Sequence, residues 1–226
     1  MAFATASTKK EDVQQGGSSH ITKSGVYPIR ILAPVVSVSK GGSQSVDIYC
    51  EHNGQKQIVY GNLRVTNNDG SPNKIGAKIF NQLLIIAGLD TVEDPISTEL
   101  PIGKNESSKE VDVLEDLCEL DVWMRVQMEY SVYNGNIQEK KIIKSFFRAE
   151  DKATAEEIVN EDTPGAGFER EQKYVDNVTY KDGLDEDAIA EWIKGGRQGG
   201  AGTPSGGTTP SKAPSFGKRK FGSSDS

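Results

Sequence analysis

The order of its predicted strands and helix is the feature that most constrains how this chain folds. Alternating apolar residues predict three strands before residue 66, and a helical period follows over residues 74–87. Two further strands, the first beginning near residue 120, are joined by Asn134-Gly135, and this pair is typical of tight hairpin turns because both residues tolerate positive φ. This order predicts a mainly β fold, a five-stranded Greek-key barrel with a helix between its third and fourth strands.

Local sequence patterns set the expected boundaries of the first elements. The first strand begins near Gly25, and Asn53-Gly54 predicts a hairpin between the second strand and a third strand of roughly residues 56–66. Asn73 is placed to cap the N-terminus of the helix, and Gly88 is placed to end it in a left-handed conformation.

The region after the helix is charged and contains proline. We expect residues 89–118 to form a long connection, with a short helix near residues 112–118. The fourth strand is the clearest of the five, since apolar and polar residues alternate strictly from Leu120 to Glu129. The fifth strand covers about residues 137–148.

Charge is distributed unevenly over the 226 residues, whose formal net charge is −7. Residues 1–148 carry 18 acids and 16 bases, residues 149–194 carry 14 acids and 5 bases, and residues 195–226 carry 1 acid and 5 bases. The acidity therefore lies outside the predicted barrel and does not exclude a basic face on it. The last two regions can act on such a face in opposite directions, one as a competing polyanion and the other as an added contact.

The sequence does not favour several classes of function. Two cysteines and the lack of an apolar run of signal-peptide or membrane-helix length predict a cytoplasmic chain (host cytoplasm if viral) with no membrane contact. Cys50 and His52 share a strand, but only His20 and Cys118 could complete a zinc site, so we expect no metal and no cofactor. The sequence has neither a phosphate-binding loop nor a nucleophile elbow, so we expect no enzymatic activity.

The outward faces of the predicted strands carry aromatic residues interleaved with cations. Single-stranded nucleic acid requires this combination, since bases stack on aromatic rings and phosphates bind cations. The candidate nucleic-acid-binding residues are Arg30, Tyr49, Tyr60, Arg64, Trp123, Arg125, Tyr133, Lys140 and Lys144. Two alternatives stay open: the aromatic residues could form a second apolar layer beneath the loop or the C-terminal helices, and the lysines could protect an edge strand.

These observations divide the chain into four parts. They are a flexible N-terminal arm (residues 1–22), an OB-fold domain that binds nucleic acid (23–150), an acidic segment with short helices near 152–160 and 184–194 (151–194), and a disordered Gly/Ser/Pro tail with the basic tip Lys218-Arg219-Lys220-Phe221 (195–226).

Three features of the chain together resemble a bacteriophage single-stranded DNA-binding protein with an OB-fold. Val26-Tyr27-Pro28-Ile29-Arg30 opens the first strand, Asn62-Leu63-Arg64-Val65-Thr66 precedes the helix Ile75–Leu89, and a long tail follows the barrel. The resemblance covers roughly residues 22–150 as an architecture. It differs at the end of the chain, where such proteins commonly carry acidic residues and a terminal aromatic residue: the acidic stretch Asp182–Glu191 is internal here and the tip is basic.

The resemblance implies a non-enzymatic protein that coats and protects single-stranded DNA, largely without sequence preference, in phage replication, recombination and repair. It also implies that the C-terminal region recruits replication or recombination enzymes, and it is compatible with a homo-oligomer. The competing hypothesis is a structural or assembly protein, such as a virion component built on a small β-barrel.

Overall fold

The computed structural model of the protein describes residues 20–102 and 107–197. Within these residues the fold is mainly β, as the sequence predicts, with one large sheet whose strand pairs are antiparallel except for one. The strands are β1 (Gly25–Val38), β2 (Gln44–His52), β3 (Gln55–Arg64), β4 (Ile96–Leu100), β5 (Lys109–Val113), β6 (Leu120–Tyr133), β7 (Asn136–Arg148) and β8 (Thr179–Tyr180). The helices are α1 (Lys74–Ala87), α2 (Ala155–Asn160), α3 (Ala166–Gln172) and α4 (Glu186–Lys194).

Five of the strands occur in the predicted order and pair as the hairpin signals indicate. β1 pairs with β2 and β6, β2 pairs with β3, and β6 pairs with β7. Asn53 and Asn134 each have a φ of 49°, and the glycine that follows each of them is also at positive φ. Both hairpin predictions are therefore confirmed, since two-residue turns of this kind need positive φ at both positions.

Closure of the five strands into a barrel is not confirmed. The two outer strands, β3 and β7, contact each other. Among the described residues, however, no ladder of backbone hydrogen bonds joins these two strands, and the sheet is not closed.

Helix α1 is capped at both ends as the sequence predicts. The side-chain oxygen of Asn73 accepts a hydrogen bond from the backbone N–H of Gly76 at 3.0 Å. Gly88 follows the helix with a φ of 71°, and its N–H donates to the backbone carbonyls of Ile85 and Leu84. These bonds satisfy backbone groups that the last and first helical turns leave unpaired, so both ends of the helix are fixed by local sequence.

The main core lies between α1 and the inward faces of the strands. Alternate residues of β6 from Val122 to Val126 point into it, and Leu83 is the most deeply buried residue of α1. Ile75 shares the helical period of Ile79, Leu83 and Ile86 in the sequence, which predicts that it is buried, but it is exposed. Ile21 is fully buried in this core and its N–H donates to Oε1 of Gln57 at 3.0 Å, although it lies within the range predicted to be a flexible arm.

The expectation that residues 89–118 form a long connection with one short helix is wrong. The segment contains the hairpin β4–β5, and β5 extends the sheet beside β1 through the pairs Val35–Val113 and Val36–Asp112. This hairpin covers a second apolar cluster on the outer side of the strands. In place of the short helix expected near residues 112–118 there is a single 3₁₀ turn at Glu115–Leu117.

The acidic segment packs against the sheet and contains more regular structure than the sequence predicts. Helices α2 and α4 fall within the two predicted helical ranges, whereas α3 and the two-residue strand β8 are additional. β8 pairs in parallel with β6 through Glu129–Thr179 and Tyr130–Tyr180. Most of the predicted arm and nearly all of the predicted tail, with its basic tip, lie outside the described residues.

No helix in residues 20–102 and 107–197 is both long and apolar enough to cross a membrane.

Substitution of Gly76 tests the close contact between α1 and β3. A Cβ atom at this position would overlap the carbonyl oxygen of Arg64, so Gly76→Ala should push the helix from the strand. We expect the free energy of unfolding to fall by about 1–3 kcal/mol, the cost of overpacking, as measured by chemical denaturation. In an unconstrained helix the same change stabilises by about 0.5–1 kcal/mol. Lys78→Ala, at an exposed position of α1, is the control, and a stabilised Gly76→Ala protein would contradict the contact.

Candidate nucleic-acid interface

The acidic segment covers part of the outward face of β6, where the sequence places Trp123 and Arg125. Phe168 of α3 contacts Trp123 edge to face, with ring centroids 5.7 Å apart. The Nζ atom of Lys152 lies 5.2 Å from the Trp123 ring centroid. These contacts leave Trp123 half-buried. Part of its ring therefore belongs to a second apolar layer beneath the C-terminal helices, which was the alternative interpretation.

Arg125 is only 7% exposed, so the prediction that it faces solvent is wrong. Its Nη1 atom forms an ion pair with the carboxylate of Glu171, and its Nη2 atom donates to the backbone carbonyl of Tyr174 at 3.0 Å. Strand parity correctly places Arg125 on the outer face, but α3 and the residues after it then cover that face. Arg125 therefore anchors the acidic segment instead of presenting a charge to solvent.

Tyr49 is likewise covered, and the prediction of an exposed Tyr49 is wrong. The side chain is 6% exposed and packs with Ala33, Val35 and Val111. Its position on the outer face of β2 agrees with strand parity, but the hairpin β4–β5 folds over that face. Tyr49 thus belongs to the second apolar layer beneath the connection.

Four of the predicted residues remain exposed on the neighbouring strands β3 and β7. They are Tyr60, Arg64, Lys140 and Lys144, which we call the basic strip. Tyr60 is 62% exposed, and none of the three cations takes part in an ion pair among the described residues. The strip combines an aromatic ring with unpaired cations on two strands, β3 and β7, that contact each other.

Two carboxylates near the basic strip bind other partners. Glu129 faces Lys140 across the β6–β7 ladder, but its Oε2 atom lies 2.8 Å from the Nζ of Lys181. Glu139 neighbours Lys140 along β7, and its Oε2 atom lies 3.2 Å from Nη2 of Arg197. Lys181 of the acidic segment and Arg197, just beyond its end, therefore neutralise acids of the sheet, and this leaves the cations of the strip unpaired.

The hairpin β6–β7 extends beyond the end of β1, and α4 packs on its inward face. Tyr130 stacks on Tyr180 with ring centroids 6.0 Å apart and meets Trp192 edge to face at 6.3 Å. Burial, followed by the nearby carboxylate of Glu139, raises the pKa of Tyr130 to about 12. Tyr133, at the turn of the same hairpin, is 68% exposed and lies beyond this packing.

Arg30 and Trp123 border one open depression, with a volume of about 410 Å³, on the outer face of the β1–β6 pair. Pro28, Asn53, Asp121 and Ala149 also line it. Arg30 is exposed, and its Nε atom lies 2.7 Å from Oε2 of Glu119. That hydrogen bond is the main cause of the raised pKa of Arg30, so the guanidinium stays protonated at the edge of the depression, where Glu119 pairs with its charge.

The cysteine and histidine side chains do not form a metal centre. Cys50 and Cys118 are free thiols, and burial raises the pKa of Cys50 to about 12. The Nδ1 atom of His52 lies 2.8 Å from the carbonyl oxygen of Pro28. Over the described ranges, no group of three or more His, Cys, Asp or Glu side chains is placed to hold a metal ion.

Sequence reasoning missed the polar residues that accompany Trp123 in the depression. Asp121 lies two residues before Trp123 and therefore on the same face of β6, so strand parity could have identified it. Asn53 was recognised only as a turn residue, because nothing local indicates that the β2–β3 turn borders the β1–β6 pair. Glu171 is one of 14 acids in residues 149–194, and no local signal connects it to Arg125.

No protein-family model matches this sequence, and no curated protein matches it either. The basic strip and the depression, both on the outer side of the strands, are therefore the basis for a functional assignment.

Glu171→Ala tests whether the ion pair with Arg125 holds the acidic segment on β6. The substitution leaves a guanidinium that is buried and has lost its charge partner, so we expect the free energy of unfolding to fall by about 1–3 kcal/mol. Acrylamide quenching of Trp123, measured in a Trp192→Phe background, should increase as α3 loosens. The control is Glu169→Ala, which removes an exposed acid from the same helix. Equal behaviour of the two variants would argue against an anchoring role for Glu171.

Proposed function

We propose that this chain is a non-enzymatic protein that binds single-stranded DNA largely without sequence preference and protects it in phage replication, recombination and repair. The basic strip is the observation that carries the proposal. Exposed aromatic rings stack on any base, and unpaired cations follow the phosphates, so this combination suits a flexible single strand better than a duplex. The formal charge of −7 does not oppose binding, because the field of the local surface acts on the DNA.

We also propose that β1, β2, β3, β6 and β7 together form an OB-type barrel. The contact between β3 and β7 supports this arrangement. Single-strand binding on the outer face of such barrels is a recurring use of the fold. The exposed Tyr133 at the β6–β7 turn would extend the binding face.

The alternative is a structural or assembly protein in which the acidic segment and the tail connect to other subunits. The extensive packing of the acidic segment on β6 and β7 favours neither hypothesis, since it stabilises the fold in both. A gel-shift titration with oligo(dT) separates them. The proposed function predicts binding that weakens steeply as salt increases and that prefers single strands to duplex. An assembly protein should be indifferent to DNA at every salt concentration.

Arg64→Gln tests the role of the basic strip itself. If Arg64 contacts one phosphate, the slope of log affinity against log salt should become smaller by about 0.7, the value for each contact with a single strand. Titrations of labelled oligo(dT) at several salt concentrations measure the slope.

The control for this experiment is Lys173→Gln. Lys173 is an exposed cation at the end of α3, so its loss changes the net charge equally without touching the strip. A slope that is unchanged in Arg64→Gln, or that changes equally in both variants, would place the DNA elsewhere on the protein.

A further inference from the structure

The depression on the outer face of β1 and β6 has the size and shape of a small-molecule site. It occupies about 410 Å³, within the range of roughly 300–1,000 Å³ that ligand pockets have. It lies where Pro28 pairs with Trp123 and Arg30 pairs with Asp121 across the β1–β6 ladder. Directly opposed residues of an antiparallel pair project from the same face, so the two pairs set a flat apolar wall beside a pair of opposite charges.

The apolar wall is available to a flat ligand. Phe168 and Lys152 contact the ring of Trp123, but neither of them lines the depression. Trp123 is half-buried by these contacts and still contributes to the lining together with Pro28. An aromatic ring placed in the depression would therefore meet Trp123 on a side that the protein does not use.

The charged pair retains free hydrogen-bonding groups. Arg30 uses only its Nε atom, which binds Glu119, so its Nη groups have no hydrogen-bond acceptor among the described residues. Asp121 is exposed, and its carboxylate accepts no hydrogen bond from the described part of the chain. The depression thus offers a planar set of donors directly beside a pair of acceptor oxygens.

We propose that this depression binds one unstacked guanine base of a single strand; the inference rests on the proposed function and adds a base preference to it. The N1–H and N2–H₂ groups of guanine are adjacent donors that match the two oxygens of Asp121. Its O6 and N7 atoms are adjacent acceptors that match the Nη groups of Arg30. Adenine and cytosine each place an acceptor beside their amino group, and thymine flanks its only N–H with carbonyls, so none of them offers two adjacent donors.

The experiment compares two labelled oligo(dT) strands of equal length, just long enough for one protein, by fluorescence anisotropy. One strand has a single central deoxyguanosine and the other has deoxyinosine, which lacks only the 2-amino group. The wild-type protein should bind the guanine strand about fivefold more tightly or more, as expected for loss of one member of a bidentate contact. Asp121→Asn should bring the ratio of the two affinities close to one, because an amide presents one oxygen and a competing donor.

Asp112→Asn is the matched control. Asp112 is an exposed strand acid on β5 outside the depression, so this variant should keep the guanine preference. Free dGMP and dIMP, used as competitors, distinguish a base within a strand from a free nucleotide. Stronger competition by dGMP, lost in Asp121→Asn, would also support guanine recognition.

Equal affinity of the wild-type protein for the two strands would overturn the inference. A preference that Asp121→Asn and Asp112→Asn reduce equally would overturn it as well, since the cause would then be general charge. In both cases continued binding of plain oligo(dT) would leave the proposed function standing. Failure to bind any of the strands would remove both.

Discussion

The pairing of β1 along both of its edges is the constraint on which the rest of the structure depends. One edge pairs with β2, while the other pairs first with β6 over Gly25–Ile31 and then with β5 at Val35–Val36. A register shift between Ile31 and Ala33 divides the two regions, and such bulges bend a strand and increase its twist. One strand thereby organises both the main core and the apolar cluster beneath the β4–β5 hairpin, and its first half also forms one side of the depression.

Salt bridges made by the acidic segment explain how an acidic protein can present a basic surface. Lys181 of that segment and Arg197, just beyond its end, neutralise carboxylates on β6 and β7. In the opposite direction, Glu171 of the segment neutralises Arg125 of β6. The segment therefore covers part of the sheet and also neutralises charged side chains of both signs on it. Net charge, which sums over all of these pairs, gives little information about which charges remain for a ligand.

Sequence patterns predicted the elements whose signals are local. The alternation in β6, the Asn-Gly turns and the two caps of α1 each depend on a few consecutive residues, and each is present in the structure. The β4–β5 hairpin was not predicted because both strands are only five residues long, and β5 is rich in charge and is stabilised by pairing with β1. For the candidate site, parity gave the correct face for Tyr49 and Arg125, but parity cannot tell whether a distant segment covers that face. The prediction of an exposed side chain is therefore correct for Tyr60 and wrong for Tyr49 and Arg125.

The pairing of β8 with β6 has a consequence for how the chain folds during synthesis. The strands that surround the main core are complete once Arg148 has been made, yet within the described residues the edge of β6 beyond Val126 has no strand beside it until Thr179 and Tyr180 follow. The N–H of Val132 likewise has its hydrogen-bond acceptor, the carboxylate of Asp182, only once that residue has been synthesised. A nascent chain therefore passes through a stage in which all strands of the main core are made but one strand edge is open, and such edges are where partly folded proteins join one another. The speed at which ribosomes translate the acidic segment sets how long this vulnerable stage lasts.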